Sequence, residues 1–380
     1  MRSHAPLRRA LGLAVMLAFI AAGATIRAAD VLPVTVRDGV QFADALGLGI
    51  EGQGWPAAEL AAPFDRLPAK ARDKVRPDVW DLSRHAAGLC VRFVADTPAI
   101  HARWTLTSPQ LAMKHMPATG VSGLDLYARD DTGHWRWVAC ATPNAEGTEQ
   151  GGVVADGLAP GKREWLLYLP LYNGIASLEI GVPEGATLEK AGPALRGRDK
   201  PIVFYGTSIT HGACASRPGA CHTAILHRRY GRPVVNLGFS GNGRMEPEVV
   251  ELIAEIDAAA YVIDCCPNLD GAATAARTRP LVELLRKARP ETPILLVEDR
   301  RYTDGWIRPG KKSHNDANHA ALKGAFDDLI AAGVPALHYL GGDALLGEDG
   351  EGTVDSSHPT DAGFVDHARA FAKSLDPLFR

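Results

Sequence analysis

The sequence lacks the patterns that most directly indicate a metal or a nucleotide. It has no Cys-x-x-Cys motif, and its cysteines and histidines do not stand at zinc-ligand spacing. Its N-terminal half has no glycine pattern of the dinucleotide-binding or phosphate-loop type, and the chain has no internal repeats. No segment after the first thirty residues is apolar enough to span a bilayer. We therefore expect a globular protein without a metal site.

An excess of basic residues is also absent, which restricts the partners of the protein. The 380 residues include 41 Lys and Arg against 44 Asp and Glu, a net charge of −3. This balance argues against nucleic acid or an anionic membrane surface as a partner. Hydrophobic residues make up 46% and charged residues 22%, values ordinary for a globular protein, and the length suffices for two domains.

The first 29 residues have the three parts of a secretory signal peptide. Arg2, Arg8 and Arg9 form a basic start, an apolar run covers 10–24, and small residues follow. The run is short for a membrane anchor, which is the alternative, so we expect cleavage after residue 24, 28 or 29. Cleavage after residue 29 removes four arginines and no acid, and takes the net charge from −3 to −7. The protein is therefore expected in a periplasm or outside the cell, without membrane contact.

The six cysteines, at 90, 140, 214, 221, 265 and 266, leave their pairing open. Disulfides form in exported proteins, and Cys214 and Cys221 are close enough in sequence to bridge a loop. Free thiols are an equal alternative.

The chain divides into two halves with different hydrophobic patterns. Within 30–190, short runs alternate or stay apolar over five to eight residues between turn residues, which predicts a β-sandwich. The charged stretch 191–200, with Gly and Pro, is expected to be a linker. Within 201–380, continuous apolar runs alternate with amphipathic patterns, which predicts an α/β domain with a five-stranded parallel sheet covered on both faces.

Polar residues gather at the carboxyl ends of the predicted parallel strands, where ligands bind in such sheets. Ser208 follows the first strand, Gly241 the second and Asn268 the third, while Asp355 and His358 follow the fifth. We predict Ser208 as a nucleophile, His358 as the base that takes its proton, and Asp355 as the group that orients the imidazole. Each residue alone has a simpler explanation, since Ser208 and Asp355 also suit helix caps and Gly241 and Asn268 also suit turns.

An attack by serine on a carbonyl creates an oxyanion that needs hydrogen-bond donors. We expect the Ser208 N–H, the Gly241 N–H and the Asn268 side-chain amide to supply them. The stretch Gly206-x-Ser208-x-Thr210 lacks the second glycine of a G-x-S-x-G elbow, so the α/β-hydrolase fold is not indicated.

Other polar residues near these blocks have weaker assignments. His211 is close to Ser208 in sequence, but three residues along the same turn place it beside the serine and not opposite its hydroxyl, where a base must lie. We therefore expect His211 to face the substrate. Arg217 and Arg244 flank the first two blocks, and either contact the substrate or are solvated or paired structural arginines. His314 and His319 are five residues apart and do not share a helical face, so they do not indicate a metal site.

The order of the strand-end residues resembles the SGNH (GDSL-like) hydrolase superfamily. The matching blocks are Ser208 in "GTSIT", Gly241 in "NLGFSGNG", Asn268 in "DCCPN", and Asp355 with His358 in "DSSHP". The stretch 123–127, "GLDLY", resembles the signature of a subgroup with an N-terminal Gly-x-Asp-Leu-Tyr domain. This resemblance implies a flavodoxin-like sheet preceded by a β-sandwich, hydrolysis of esters by a Ser-His-Asp set, and no cofactor.

These features together predict an exported serine esterase that acts on a small-molecule or oligosaccharide ester and deacetylates a carbohydrate. The same residues would also serve acyl transfer to a sugar hydroxyl. A third hypothesis is a non-catalytic glycan-binding protein, and a lipase is a further alternative although the sequence has no long apolar lid.

Overall fold

The computed structural model describes Met1 and residues 32–143, 146–193 and 197–379. Apart from Met1, the predicted signal peptide at 1–29 lies outside the described residues. Within the described ranges, no helix combines the length and the apolarity that crossing a membrane requires.

Residues 34–190 form a sandwich of two antiparallel sheets, as predicted. One sheet has the order β1-β2-β10-β5-β8 and the other β11-β4-β9-β6-β7, with β3 added beside β4. Three short helices, α1 to α3, lie between strands. The elements are β1 (Val34–Arg37), β2 (Val40–Asp44), α1 (Ala45–Leu48), β3 (Ile50–Glu51), α2 (Pro77–Ser83), β4 (Cys90–Asp96), β5 (Ile100–Leu106), α3 (Ala118–Val121), β6 (Leu124–Arg129), β7 (Trp135–Ala141), β8 (Glu149–Ala155), β9 (Arg163–Tyr168), β10 (Ile175–Pro183) and β11 (Thr187–Lys190).

The core of the sandwich follows from side-chain alternation along its strands. Strand β5 buries every second residue, including Ala102 and Trp104, and β4 does the same with Val91 and Phe93. These side chains pack in one cluster with Trp165 and other apolar residues of the facing strands. Because successive side chains of a strand point to opposite faces, this alternation gives each sheet one buried face.

The C-terminal half is a parallel sheet of five strands with the order β13-β12-β14-β15-β16, which is the predicted flavodoxin-like topology. Helices lie on both faces of the sheet, and the strands are accordingly apolar and buried throughout most of their length. The elements are β12 (Ile202–Gly206), α4 (Ser208–His211), α5 (His222–Tyr230), β13 (Val234–Gly238), α6 (Pro247–Ile253), β14 (Ala260–Asp264), α7 (Gly271–Ala288), β15 (Ile294–Val297), α8 (Pro309–Ala331), β16 (Leu337–Leu340) and α9 (Asp361–Leu375).

Strand β12 occupies the point where the strand order reverses. The chain moves to one side of it for β13 and to the other side for β14. A crevice opens outside the carboxyl ends of the strands at such a point, so the residues after β12, β13 and β14 share one edge. The first three predicted site blocks follow these three strands.

Two arginines, buried Arg66 and partly exposed Arg217, join the sandwich to the parallel-sheet half. Arg66, which is 2% exposed, donates to the carbonyl oxygens of Asn236 and Gly238 in β13 at 2.9 Å each. Asp125 in β6 is fully buried and accepts hydrogen bonds from Arg217 at 2.8 Å and from the Gly219 N–H at 2.7 Å. The aspartate of the "GLDLY" stretch thus holds the loop that follows α4.

The structure decides between the two alternatives for the cysteines, and it corrects the start of one predicted helix. All six cysteines are free, so Cys214 and Cys221 do not form the bridge that was one alternative. The helical pattern at 315–333 belongs to α8, which begins earlier, at Pro309. Proline suits this first helical position because its missing N–H would have no partner there.

Candidate active site

Ser208 is the first residue of α4, two residues after the end of β12, and its hydroxyl is not the helix cap. Thr207 is the N-cap, with its hydroxyl accepting a hydrogen bond from the Ile209 N–H at 3.3 Å. Gly206 is the last residue of the strand, and a Cβ there would lie 2.1 Å from Thr210 Oγ1. Glycine therefore permits the close approach of α4 to β12. The alternative of Ser208 as a cap is wrong, and its hydroxyl is left for another partner.

That partner is His358. Ser208 Oγ lies 2.8 Å from His358 Nε2, and His358 Nδ1 lies 2.7 Å from Asp355 Oδ2. A carboxylate accepts hydrogen bonds only, so the imidazole proton is on Nδ1 and the Nε2 lone pair faces the serine hydroxyl. The structure thus brings all three residues into one hydrogen-bonded chain, with the polarity that proton removal from the serine requires.

The loop around Asp355 fixes the carboxylate in its position. Asp355 Oδ1 accepts the backbone N–H groups of Ser357 at 3.0 Å and His358 at 2.8 Å. Ser356, between Asp355 and Ser357, has a φ of 70°, a left-handed conformation that costs a non-glycine residue of order 1–3 kcal/mol. Arg300, almost fully buried, donates to the Ser357 carbonyl at 3.0 Å and holds the loop from the end of β15.

These contacts keep Asp355 ionised. Burial by itself would raise the pKa of Asp355, but the hydrogen bonds from the His358 N–H and ring, with the charge of a protonated His358, lower it to about 2. The carboxylate is therefore ionised at neutral pH and available to stabilise an imidazolium.

The three predicted oxyanion donors follow three neighbouring strands, β12, β13 and β14, at the carboxyl edge of the sheet. The Ser208 N–H is among the first N–H groups of α4, which have no earlier helical carbonyl as a partner. Gly241 has a φ of 70° and open space around its Cα. Asn268 Oδ1 accepts the Gly243 N–H at 3.2 Å, which leaves its NH₂ group as the donor. A Cβ on Gly243 would lie 1.9 Å from the Gly206 carbonyl, so this turn packs directly against the start of α4.

The structure corrects the position of His211. Its side chain is fully buried and stacks on Tyr172 of the sandwich half, with ring centroids 4.1 Å apart. Burial, together with the charge of Arg66, lowers the pKa of His211 well below its usual value, so the ring is neutral. The expectation that His211 faces the substrate is therefore wrong. As the last residue of α4, His211 packs this helix against the sandwich half, and the Tyr172 hydroxyl donates a hydrogen bond to the Ser208 carbonyl at 3.4 Å.

The two arginines have different environments. Arg217 donates to Asp125 and to the Tyr127 hydroxyl and lies over the Trp137 ring, so it is a paired structural arginine, one of the two alternatives. Arg244 is exposed and donates to the Gly241 carbonyl at 2.9 Å. It therefore lies beside the predicted oxyanion donors.

A second carboxylate lies beneath the site. Asp264 ends β14, is almost fully buried, and accepts a hydrogen bond from Thr210 Oγ1 at 2.9 Å. Burial raises the pKa of Asp264 to about 7, and the charge of nearby Asp299 acts in the same direction. Thr210 thus ties α4, which carries the serine, to Asp264. The pKa of about 7 puts the ionisation of this carboxyl group near neutral pH.

Sequence patterns gave no sign of His115, which comes from the sandwich half. Its ring centroid lies 5.9 Å from that of His358, in an edge-on arrangement. The potential ligand atoms of His115, Cys214 and His358 lie within 4.8 Å of one another, close enough to hold a metal ion. Both nitrogens of His358 already bond to Ser208 and Asp355, and burial raises the pKa of the Cys214 thiol to about 12. The geometry therefore favours the hydrogen-bonded chain over a metal centre.

Comparisons with known proteins agree with this arrangement. A model of the GDSL-like lipase/acylhydrolase family matches residues 199–376, and a model of the N-terminus of SGNH-hydrolase-type esterases matches residues 40–188. A crystal structure from Bacteroides ovatus, described as a GDSL-like lipase, is 32% identical to this chain. The match covers 89% of this chain and 98% of the other, with a TM-score of 0.83. This chain belongs to the GDSL-like lipase/acylhydrolase family.

More distant structures share the fold of this GDSL-like protein. A salicylyl-acyltransferase from a tetracycline biosynthetic pathway is 19% identical, with 93% of this chain and 98% of that chain covered and a TM-score of 0.62. A family two carbohydrate esterase from Clostridium thermocellum, solved with cellohexaose, is 14% identical, with 77% and 92% covered and a TM-score of 0.51. No curated protein matches the sequence significantly.

Proposed function

We propose that this GDSL-like protein is an exported serine esterase that deacetylates a carbohydrate through an acyl-enzyme. The observation that carries the proposal is the hydrogen-bonded chain from Ser208 through His358 to Asp355, with distances of 2.8 and 2.7 Å. Membership of the family supports ester hydrolysis independently of this geometry.

The arrangement assigns each residue a step. Ser208 Oγ attacks the ester carbonyl while His358 Nε2 takes its proton, and Asp355 stabilises the imidazolium that forms. The oxyanion is held by the Ser208 N–H, the Gly241 N–H and the Asn268 NH₂ group. As the intermediate collapses, His358 returns the proton to the leaving alcohol, and the acyl group stays on the serine. Water, activated by His358 in the same way, then releases the acid and restores the serine.

The carbohydrate part of the proposal has its own support. Carbohydrate esterases from Clostridium thermocellum and Cellvibrio japonicus share the fold of this chain, with TM-scores of 0.51 and 0.53. The expected signal peptide would place the protein where acetylated polysaccharides are met. Acetyl is the proposed acyl group because it is the common ester substituent of such polymers.

The test is acetate release from acetylated cello-oligosaccharides, measured for the wild type and for Ser208→Ala. We expect turnover by the wild type and none by the variant. Ser177→Ala, which removes an exposed hydroxyl on β10, is the matched control and should keep full activity. No ester hydrolysis by the wild type would contradict the proposal, and full activity of Ser208→Ala would contradict the assignment of the nucleophile.

The same assay separates hydrolysis from acyl transfer. The fold neighbour that is a salicylyl-acyltransferase covers 93% of this chain, so transfer to an acceptor is the competing reaction. With an unacetylated sugar added as acceptor, hydrolysis predicts that acetate release continues undiminished. Acetylated acceptor formed in preference to acetate would replace the esterase with a transferase.

A further inference from the structure

Large apolar side chains are exposed in a small group of segments beside the proposed active site. Trp306 is 83% exposed, Ile307 62% and Val354 47%. Single exposed apolar residues are normal on a protein surface. Here, however, the three residues belong to two segments that bond to each other, and Val354 directly precedes Asp355. A tryptophan side chain this exposed to water, in a segment bonded to the catalytic loop, points to a role in binding a ligand.

The segment with Trp306 is tied to the loop of the proposed catalytic residues. The Thr303 N–H donates to the Ser356 carbonyl at 3.2 Å, and the hydroxyls of Thr303 and Thr353 lie 2.9 Å apart. The segment follows β15, so it leaves the sheet at the same carboxyl edge as the site. Hydrogen bonds of Thr303, three residues before Trp306, therefore tie this segment to the residues on either side of Asp355.

Local contacts give the segment a defined shape. The Ile307 N–H donates to the Asp304 carbonyl at 3.2 Å, closing a turn around Trp306. Asp304 also pairs with Lys311 at 2.8 Å and with Arg308 at 3.0 Å, and Lys311 donates to the Ser356 hydroxyl. The indole is thus presented from a braced turn, which reduces the entropy lost when a ligand packs against it.

The surroundings of the indole indicate the chemistry of its ligand. The exposed apolar residues of this segment are few, and three charged residues, Asp304, Arg308 and Lys311, belong to the same turn and the start of α8. A fatty acyl chain would need a longer continuous apolar surface than these residues offer. A pyranose ring fits better, because it presents a face of C–H groups to the indole and hydroxyls at its edge to the charged groups.

We infer that Trp306, with Ile307 next to it in the chain and Val354 in the segment bonded to its own, is a subsite that stacks a pyranose ring of the alcohol part of the substrate. The inference rests on the proposed function for the ester bond itself, and it adds the place where the sugar is recognised. The acyl group would lie at Ser208, and the sugar would extend toward the segment after β15.

Kinetics on two esters with the same acyl group test the subsite. Acetylated cellobiose has a ring to stack, whereas ethyl acetate has none, and both release acetate. For Trp306→Ala we expect kcat/KM on acetylated cellobiose to fall about tenfold, mainly through KM, with ethyl acetate unchanged. Trp306→Phe retains an aromatic face and should recover most of the loss. Ile330→Ala, at an exposed apolar position on α8, is the control and should leave both substrates unaffected.

Three results would overturn the inference. Equal losses on both esters would mean that Trp306 only supports the neighbouring loop, and unchanged kinetics on both would mean that it binds nothing. A loss confined to ethyl dodecanoate would assign the indole to the acyl chain instead.

Direct binding of unacetylated cellohexaose keeps the subsite separate from the esterase proposal. Calorimetric titration of the full chain should show binding that Trp306→Ala weakens about tenfold, whether or not the protein cleaves acetyl esters. If the wild type hydrolyses no ester but binds cellohexaose through Trp306, the subsite stands and the esterase fails. If hydrolysis occurs but binding is absent or independent of Trp306, the esterase stands and the subsite fails.

Discussion

Replacing Asp355 by Asn should separate the orientation of His358 from substrate binding. The carboxylate accepts two backbone N–H groups through Oδ1, and it accepts the imidazole N–H of His358 through Oδ2 at 2.7 Å. An amide has only one acceptor atom, so one of these two sides must meet an NH₂ group. If the NH₂ group faces the backbone, two hydrogen bonds to a charged group are lost, each worth about 1.5–3 kcal/mol. We therefore expect it to face the imidazole.

In that orientation His358 must accept at Nδ1 and carry its proton on Nε2. It then cannot take the proton of Ser208, and the expected loss is about 10⁴-fold in kcat, or about 5 kcal/mol of barrier, with KM nearly unchanged. Steady-state kinetics on a chromogenic acetate ester measures both constants, and circular dichroism checks the fold. Asp343→Asn, which removes an exposed carboxylate paired with Arg301, is the control and should behave as the wild type. A kcat of Asp355→Asn within tenfold of the wild type would refute this role of the carboxylate.

Three other variants test separate parts of the account. Asn268→Ala should lower kcat by about 10²–10³ with little change in KM, because it removes one oxyanion donor; an unchanged kcat in steady-state assays would exclude that role. Asp264 has a folded pKa of about 7, above its unfolded value, so its contribution to stability is complete below about pH 4 and is lost as pH rises to 7. In urea titrations, the free energy of unfolding of the wild type relative to Asp264→Asn should fall by on the order of 4 kcal/mol between pH 4 and 8, and a constant difference would contradict the burial argument. Asp125→Ala leaves Arg217 without its buried partner and should cost about 3 kcal/mol in the same titrations, whereas a loss below 1 kcal/mol would show that this pair does not join the two halves.

The fold was predictable wherever apolar patterning alone determines the element. The five parallel strands read as apolar runs because the sheet is covered on both faces. Burial on both faces produces this pattern, so the runs indicated a parallel sheet. Strand β8 has a weak strand signal, because its sequence, "EQGGVVA", carries two glycines and little alternation. Pairing with β5 supplies what the local sequence lacks, with Gly151 opposite Arg103 and Gly152 opposite Ala102.

The catalytic residues could be predicted from their order along the chain, whereas the burial and contacts of neighbouring residues could not. Ser208, Asp355 and His358 could be selected because parallel strands bring their carboxyl ends to one edge. His211 lies three residues after the serine, yet it is buried because Tyr172 of the other half covers it. His115 could not be selected, since it reaches His358 only through the packing of the sandwich. Contacts between the two halves leave no periodic trace in either sequence.

The most direct test of the central claim is the identity of the residue that becomes covalently modified. Treatment with diethyl 4-nitrophenyl phosphate, which phosphorylates activated serines, should give one adduct per chain, and peptide mass spectrometry should locate it on Ser208. His358→Ala should slow the labelling strongly, because the hydroxyl loses its base, and Ser177→Ala should label like the wild type. An adduct on another residue, or labelling of Ser208 at an unchanged rate in His358→Ala, would contradict the mechanism.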